Sequence, residues 1–222
     1  MHQIHHDIER PDPRTLEGLK EIPAATASDV MGRQRSMNSQ MKGIFKGARV
    51  CGPAITVKCY PADNLMLHKA VTMARPGDVL VCEAGYRDAA LWGELLTRAA
   101  LQRGIAGLVI DGGVRDVDEI EDLGFPVFST ATLPGGTFKV NPGSVNVPIQ
   151  CAGVVVHPGD VVIGDSDGVV VVPLEEAPEV LERAKAALEK EEGLRRGMAE
   201  GKLLFDLLNL RPLLERPDVL ER

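Results

Sequence analysis

The pattern of apolar and polar positions changes near residue 130 of the chain. Before it, short apolar runs that predict buried strands alternate with stretches of helical spacing. The elements predicted there are two short helices within 14–33, a loop at 34–47, a strand at 49–60, a helix at 63–74, a strand at 79–82, a helix at 89–103, a strand at 107–111, a helix at 117–123 and a strand at 125–128. Thr26 or Ser28, and Asp63, are placed to cap two of these helices. Because strands and helices alternate, we predict parallel pairing with right-handed crossovers.

After residue 130 the apolar runs are separated by turns alone. Strands are predicted at 138–140, 145–149, 154–156, 161–163 and 169–173, and Asp167-Gly168 is typical of a hairpin turn. From Leu174 the spacing is that of an amphipathic helix, whose apolar face consists of Ala177, Val180, Leu181, Ala184 and Leu188. No linker interrupts the chain. We therefore predict a single α/β domain over 1–222, with a core at about 20–175 and packing helices at 175–214.

Composition narrows the classes of function. Of the 222 residues 44% are hydrophobic and only 4% aromatic, so the core must consist mainly of Val, Ile, Leu and Ala. The few aromatic residues and the net charge of −7 disfavour nucleic-acid binding. No apolar run is long enough to span a membrane, and the first residues lack the apolar region of a signal peptide. We expect a cytoplasmic protein with no nucleic-acid and no membrane partner.

Cysteine and histidine positions give no sign of a disulfide framework or a zinc site. The four cysteines stand singly within apolar stretches, which favours buried, reduced thiols. His68 and His157 have no partner at ligand spacing, and the other three histidines lie in the first six residues. The motif at 165–168, Asp-Ser-Asp-Gly, is better explained as a hairpin than as a calcium loop, because the later ligands are missing.

The segment 107–119 carries the strongest chemical signal. A predicted buried strand ends at Asp111-Gly112-Gly113, which we interpret as a turn, and Arg115 and Asp116 follow at once. Ligands of α/β proteins bind at such carboxyl ends of strands. An Arg can bind a carboxylate through two parallel N–H bonds, and an adjacent Asp offers hard oxygens to a divalent cation. The pair therefore predicts a site for a 2-oxo acid together with Mg²⁺ or Mn²⁺.

The helix predicted after the preceding strand adds a second component to this site. Its beginning, near Trp92-Gly93-Glu94, should lie at the same sheet edge as Arg115, because neighbouring parallel strands end together. The free N–H groups of a first helical turn attract a carboxylate. Glu94 could then hold a water bound to the metal.

Plainer interpretations of the same residues stay open. Arg115 and Asp116 could form a solvated surface ion pair. Asp118 and Glu119 are expected on the exposed face of a short helix rather than among the ligands. Lys139 could act as a Schiff-base lysine, although nothing near it in the sequence would lower its pKa.

Taken together, these motifs resemble the RraA-like family. The signature consists of Glu94, twenty intervening residues and Arg115-Asp116, preceded by Asp-Gly-Gly-Val at 111–114. The likeness covers roughly 20–175 and continues in Pro-Gly-Asp-Val-Leu-Val at 76–81, Gly-Gly-Thr at 135–137, Asn-Val-Pro-Ile at 146–149, Pro-Gly-Asp-Val at 158–161 and Asp-Gly-Val-Val-Val-Val-Pro at 167–173. The family includes class II 4-hydroxy-4-methyl-2-oxoglutarate/4-carboxy-4-hydroxy-2-oxoadipate (HMG/CHA) aldolases and the RraA regulators of ribonuclease E.

The resemblance implies a swivelling β/β/α-type sandwich that assembles as a homotrimer or homohexamer with active sites at subunit interfaces. It also implies roles for individual residues. Asp116 would bind the metal directly and Arg115 would bind the pyruvyl carboxylate. Gly93 and the amides of Leu95 and Leu96 would hold that carboxylate as well.

Two further roles follow from the resemblance. Glu94 takes a position that is more often Asp in the aldolases, where it orders a metal-bound water. Glu191 or Glu192 would reach, through water, the metal of a neighbouring subunit. The longer side chain of Glu94 leaves the position of the water, and with it the native substrate, open.

The implied activity is metal-dependent retro-aldol cleavage of a 4-hydroxy-2-oxo acid of the HMG type, which releases pyruvate, with oxaloacetate decarboxylation as a side activity. Nothing in the sequence identifies the group attached at C4. The alternative within the family is a non-catalytic protein regulator of ribonuclease E. An enzyme for sugar acids or other oxo acids on the same scaffold is a third possibility.

Overall fold

The computed structural model describes residues 2–216. Its strands are β1 (Lys42–Gly43), β2 (Val50–Lys58), β3 (Val79–Glu83), β4 (Ala90–Trp92), β5 (Gly107–Val114), β6 (Val127–Thr132), β7 (Ser144–Val145), β8 (Ile149–Cys151), β9 (Val154–Val156), β10 (Val161–Asp165) and β11 (Gly168–Val172). Its helices are α1 (Pro13–Lys20), α2 (Ala24–Val30), α3 (Leu65–Met73), α4 (Glu94–Gln102), α5 (Val117–Asp122), α6 (Ala177–Ala199), α7 (Leu204–Leu207) and α8 (Arg211–Leu214), and a 3₁₀ turn at Leu174–Glu176 leads into α6.

Four parallel strands, β2, β3, β5 and β6, form the centre of the main sheet in that order. This confirms the predicted parallel pairing. The β10–β11 hairpin continues the sheet antiparallel to β2, and β1 pairs antiparallel with β6 at the other side. The two sides approach each other, because Met37 N–H donates to Val169 O at 2.9 Å and Lys42 Nζ donates to Asp167 O at 2.6 Å. The sheet is therefore a nearly closed barrel.

The side chains of the parallel strands alternate between two apolar layers. Leu80 and Leu108 pack with α3, α4 and α5 on one face, whereas Val81 and Val109 pack with β8, β9 and the β10–β11 hairpin on the other. A third layer, made of α1, α2 and α6, covers the outer face of β10 and β11. The buried face of α6 contains Ala177, Val180, Leu181 and Ala184, as its sequence predicts. The α/β prediction, a β/β/α-type sandwich in one domain, is confirmed.

The predicted turn at Asp111-Gly112-Gly113 is wrong, because β5 runs through these residues to Val114. The glycines serve close packing instead. A Cβ on Gly112 would lie 2.5 Å from the Cβ of Ala84, and one on Gly113 would lie 2.6 Å from Ala89 O. Strand packing, rather than chain reversal, therefore requires glycine here.

Other local predictions also need correction. The helix predicted from residue 89 begins only at Glu94, because Ala90–Trp92 forms β4 and pairs with β5. The strand predicted at 138–140 is reduced to a single bridge between Asp63 and Phe138. The loop predicted at 34–47 contains the short strand β1.

Of the predicted helix caps, one is partly right, because Asn64 is the N-cap residue of α3 and Asp63 precedes it, and one is wrong. Asp63 Oδ1 accepts the N–H of Leu65 at 2.9 Å at the beginning of α3. By contrast, α2 begins at Ala24, before Thr26 and Ser28. The N–H of Ala24 donates to Asp165 Oδ2 at 2.9 Å instead. Asp165 lies at the end of β10, next to the hairpin turn that the sequence predicts at Asp167-Gly168.

Several apolar side chains near the carboxyl end of the described chain are exposed to solvent. Leu203 is 64% exposed, and Leu204 and Leu208 are also exposed. An exposed apolar segment of this kind is typical of a surface between subunits, and we predict that it packs on another subunit. Within residues 2–216 no helix is both long and apolar enough to cross a membrane.

Cys59, Cys82 and Cys151 are buried, and burial raises the pKa of the half-buried Cys51 to about 12.

Candidate active site

Two neighbouring strand ends form the candidate site. β4 lies parallel to β5, with Trp92 opposite Val114, so Gly93 and Arg115 follow the two strands side by side. The N–H of Arg115 donates to Trp92 O at 3.0 Å, which extends the pairing by one residue. The sequence predicted that these segments meet, although it did not predict β4 as the strand that brings them together.

Asp116 is fixed against the beginning of α4. Its Oδ2 accepts the N–H of Glu94 at 3.0 Å, and its backbone is left-handed, with φ of 57°. Left-handed backbone is uncommon for residues other than Gly, Asn and Asp. A Cβ on Gly93 would clash with this same Oδ2. Gly93 thus lets the carboxylate lie directly against the first turn of the helix.

The Arg115 side chain is half exposed beside this carboxylate. Its Nε lies 3.7 Å from Asp116 Oδ2, which is a loose ion pair. A Cβ on Gly136 would lie 3.5 Å from Arg115 Nη1, so the Gly135-Gly136 loop passes close to the guanidinium. The planar end of Arg115 therefore lies next to Asp116 and remains accessible to a ligand.

The first turn of α4 offers further N–H groups. Helix geometry leaves the amides of Leu95 and Leu96 without an acceptor inside the helix. The turn is held firmly, because Trp92 Nε1 donates to Thr97 Oγ1 at 2.8 Å and Thr97 Oγ1 donates to Gly93 O at 3.1 Å. An anion bound here would meet N–H groups at the positive end of the helix.

Whether the site fits a divalent cation depends on which carboxylate oxygens are available to bind it. Among the described residues no group of three or more His, Cys, Asp or Glu side chains could enclose a metal ion. Asp116 uses only Oδ2 in hydrogen bonding within the described chain, and its Oδ1 is a hard oxygen ligand that remains free. Mg²⁺ commonly binds one or two carboxylates and retains several waters, so this donor set fits such an ion.

The Glu94 side chain points along its own helix. Its carboxylate pairs with Arg98, one turn further along α4. The backbone of Glu94 contacts Asp116 through its N–H, whereas its carboxylate is held by the arginine. Whether Glu94 orders a water at the metal stays a prediction.

Three further residues belong to the site and were not assigned to it from the sequence. Asn64, His68 and Lys139 line a cavity of about 100 Å³ together with Arg115 and Asp116. Partial burial and the nearby charge of Lys139 lower the pKa of His68. Of these three residues, only Lys139 was a candidate from the sequence analysis, for a Schiff base, and its location was not predicted.

The acidic residue before α3 makes the contacts that position Lys139. Asp63 is buried, and its Oδ2 accepts the N–H groups of Val140 and Asn141 at 2.7 and 2.8 Å. These bonds hold the loop that carries Lys139 beside α3. A buried Asp that binds a distant loop cannot be distinguished from a simple helix cap in the sequence.

A second, larger cavity of about 510 Å³ also includes Arg115 and Asp116. It is lined in addition by Val117, Asp118, Glu119, Thr132, Leu133 and Pro134. Asp118 and Glu119 are exposed, as predicted, but they face this cavity rather than open solvent alone.

Glu191 and Glu192 lie on α6, which packs against α1 and α2 on the far side of β10 and β11. Both pair with Arg195, at 2.9 Å for Glu191 and 3.4 Å for Glu192. Their predicted role at the site of a neighbouring subunit stays a prediction.

Comparison with known proteins gives a family match and similar structures. The model of a family described as RraA-like, Aldolase/RraA, matches residues 24–171. A Halalkalibacterium halodurans protein named "Putative 4-hydroxy-4-methyl-2-oxoglutarate aldolase" is 35% identical over 199 residues, which cover 89% of this chain and 92% of that protein.

Two similar solved structures are named as RraA inhibitors rather than as aldolases. Streptomyces coelicolor RraAS2, described as an unusual member of the RNase ES inhibitor RraA protein family, has a TM-score of 0.77 at 34% identity, with 85% of this chain and 99% of that chain covered. The RNA-processing inhibitor RraA from Thermus thermophilis has a TM-score of 0.63 at 30% identity, with 69% and 93% covered.

Proposed function

The chain belongs to the RraA-like family, and from this membership and the geometry of the site we propose that it is a divalent-metal-dependent aldolase. The reaction would cleave a 4-hydroxy-2-oxo acid and release pyruvate. The observation that supports this most is the fixed position of Asp116, whose Oδ2 accepts the Glu94 N–H at 3.0 Å beside Arg115. A carboxylate, a guanidinium and a helix N-terminus at one strand end are what a 2-oxo acid site needs.

The substrate carboxylate would be bound first by this chain's own groups. Arg115 provides two parallel N–H donors, and the amides of Leu95 and Leu96 provide two more at the positive end of α4. Gly93, which has no Cβ, leaves room for the Asp116 carboxylate directly beside these amides. These contacts would orient the 2-oxo group toward Asp116.

The reaction breaks the C3–C4 bond. The C4 hydroxyl loses its proton and becomes a carbonyl, and the bonding electron pair moves to C3 and the 2-oxo oxygen. C3 then takes up a proton and becomes the methyl group of pyruvate. Glu94, acting through an ordered water, is the carboxylate we assign to this proton transfer.

Asp116 would hold the divalent cation, Mg²⁺ or Mn²⁺, which when bound supplies Lewis-acid stabilisation of the negative charge developing on the 2-oxo oxygen. The same stabilisation predicts decarboxylation of oxaloacetate, because loss of CO₂ places the same charge on that oxygen. The proposal therefore includes oxaloacetate decarboxylation as a side activity.

Pyruvate release tests the proposal. The protein would be assayed with oxaloacetate and with 4-hydroxy-2-oxo acids, with Mg²⁺ or Mn²⁺ and after treatment with EDTA. Asp116→Asn is the sharpest variant, because Asn tolerates the left-handed backbone and can still accept the Glu94 N–H. It should lower kcat/KM by about a thousandfold, since Lewis-acid stabilisation is worth several kcal/mol.

Arg115→Lys keeps the charge but loses the planar two-point contact, so it should chiefly raise KM. Asp122→Asn is the control, because Asp122 is exposed at the end of α5, the helix that follows Asp116, and it should leave kcat/KM unchanged. Full activity after removal of metal, or in Asp116→Asn, would contradict the proposal. Substrate-dependent inactivation by borohydride that is lost in Lys139→Met would favour a Schiff base instead.

The alternative is a protein regulator of ribonuclease, and the observation that favours it is the similarity to the two RraA structures. Such a role needs neither Asp116 nor a metal. If no oxo acid is cleaved and Asp116→Asn still binds and inhibits a ribonuclease of the RNase E class as well as the unchanged protein does, the regulator is the correct function.

A further inference from the structure

The two cavities at the site share Arg115 and Asp116 but differ in charge. The smaller one, of about 100 Å³, contains Lys139 and the first turn of α4. The larger one, of about 510 Å³, contains Asp118 and Glu119 and lacks a cationic side chain other than Arg115. A substrate that spans both cavities therefore meets positive charge at one end and negative charge at the other.

The orientation of a 2-oxo acid follows from this difference. Its carboxylate belongs in the smaller cavity, where Arg115, Lys139 and the amides of Leu95 and Leu96 all favour an anion. The part of the molecule beyond C3 is then directed into the larger cavity. That cavity accordingly selects the group attached at C4.

Two carboxylates of the larger cavity, those of Asp118 and Glu119, are not neutralised. Among the described residues, Asp118 and Glu119 take part in no ion pair, whereas Glu94 is paired with Arg98 and Asp111 with Arg87. A second carboxylate of the substrate that lies next to Asp118 and Glu119, beyond Arg115 and a cation on Asp116, would be repelled by both side chains. A hydroxyl group could instead donate a hydrogen bond to either of them, and Thr132 adds a further polar group to the lining.

We propose that the C4 substituent of the substrate is uncharged and hydroxylated, so that cleavage yields pyruvate and a hydroxyaldehyde rather than pyruvate and a second oxo acid. This inference rests on the proposed aldolase function. It replaces the HMG-type dicarboxylate that the family resemblance implies with a monocarboxylate that carries a polar, neutral side group.

Three substrates that differ only at C4 test the proposal. 4,5-Dihydroxy-2-oxopentanoate carries a hydroxymethyl group and would give glycolaldehyde and pyruvate. 4-Hydroxy-2-oxopentanoate carries a methyl group, and 4-hydroxy-2-oxoglutarate carries a carboxylate of nearly the same size as the hydroxymethyl group. We expect kcat/KM to be highest for the first, and about tenfold or more lower for the dicarboxylate at low salt, because two like charges act on it.

Charge-neutralising variants show whether the larger cavity causes this preference. In Glu119→Gln and in Asp118→Asn, the ratio of kcat/KM for the dicarboxylate to kcat/KM for the dihydroxy substrate should rise about threefold to tenfold. The rise should shrink as ionic strength increases, because exposed charges are screened. Asp122→Asn removes the same charge from α5 outside the cavity and should leave the ratio unchanged.

The outcomes separate this inference from the proposed function. If the unchanged protein releases pyruvate from the dicarboxylate faster than from the dihydroxy substrate, the aldolase function stands and the inference is overturned. If Asp122→Asn shifts the ratio as much as Glu119→Gln does, the general charge of the helix is responsible, and the inference fails as well. If none of the three substrates is cleaved in the presence of metal, the proposed function fails and takes the inference with it.

Discussion

Replacing Gly93 by Ala would show whether the position of the Asp116 carboxylate controls activity. The backbone of Gly93 is extended, with φ of −165° and ψ of −169°, so alanine meets no backbone strain there. Its Cβ would nevertheless clash with Asp116 Oδ2 and lie 3.3 Å from Arg115 Cγ. The pairing of β4 with β5 fixes the chain before Gly93 and the first turn of α4 fixes it after Gly93, so the carboxylate has to move.

The displacement should affect activity more than stability. It would stretch or break the bond of 3.0 Å from the Glu94 N–H to Asp116 Oδ2. Bonds of this charged type contribute about 1.5–3 kcal/mol, and the partial exposure of Asp116 reduces the expected loss to about 1 kcal/mol. Misplacing a catalytic group by about 1 Å can cost about a hundredfold in rate, so we expect kcat/KM to fall by about that factor.

Urea denaturation of the metal-free protein and the pyruvate-release assay measure the two effects separately. Gly193→Ala is the matched control, because a Cβ there meets no atom within 4 Å in the middle of α6. It should raise the free energy of unfolding by up to about 1 kcal/mol and leave turnover unchanged. If Gly93→Ala keeps the kcat/KM of the unchanged protein, the position of Asp116 does not control the chemistry, and the reasoning is refuted.

Two further predictions concern Glu94 and assembly. Arg98→Met should lower kcat several-fold because it releases the Glu94 carboxylate, and it should have no effect on kcat in a Glu94→Gln background. If Arg98→Met lowers kcat equally in both backgrounds, Arg98 does not act through Glu94. Removing residues 202–222 should convert a trimer or hexamer into smaller species in sedimentation, because the exposed Leu203, Leu204 and Leu208 lie there. A full-length monomer with undiminished turnover would count against a site shared between subunits.

The sequence predicted the order of strands and helices well where the repeating pattern of apolar positions extended over enough residues to identify the element. The parallel strands and the buried face of α6 follow from such periods. β4 was missed because its three residues, Ala90–Trp92, are as compatible with the first turn of a helix as with a strand. Its strand conformation depends on pairing with β5, a contact that the local sequence does not contain.

The site was predicted in part for a similar reason. Arg115, Asp116 and the beginning of α4 come directly after neighbouring strands, so topology alone places them together. His68 and Lys139 reach the same cavity from separate parts of the chain. Lys139 is brought there by the contacts of its loop with the buried Asp63, and no periodic pattern encodes such a contact.

Two aspartates near the end of β5 could each be considered for metal binding, and their hydrogen bonds distinguish them. Asp111 Oδ1 accepts from Arg87 and from Thr130 Oγ1, and its Oδ2 accepts the Ala152 N–H at 3.0 Å. Both of its oxygens are thus used in joining β5 to neighbouring segments. Asp116 has one oxygen on the Glu94 N–H and the other without a donor among the described residues. A ligand that needs a free carboxylate oxygen can bind to Asp116 without breaking a contact of the fold. Binding to Asp111 would instead break several of the hydrogen bonds that join β5 to its neighbours.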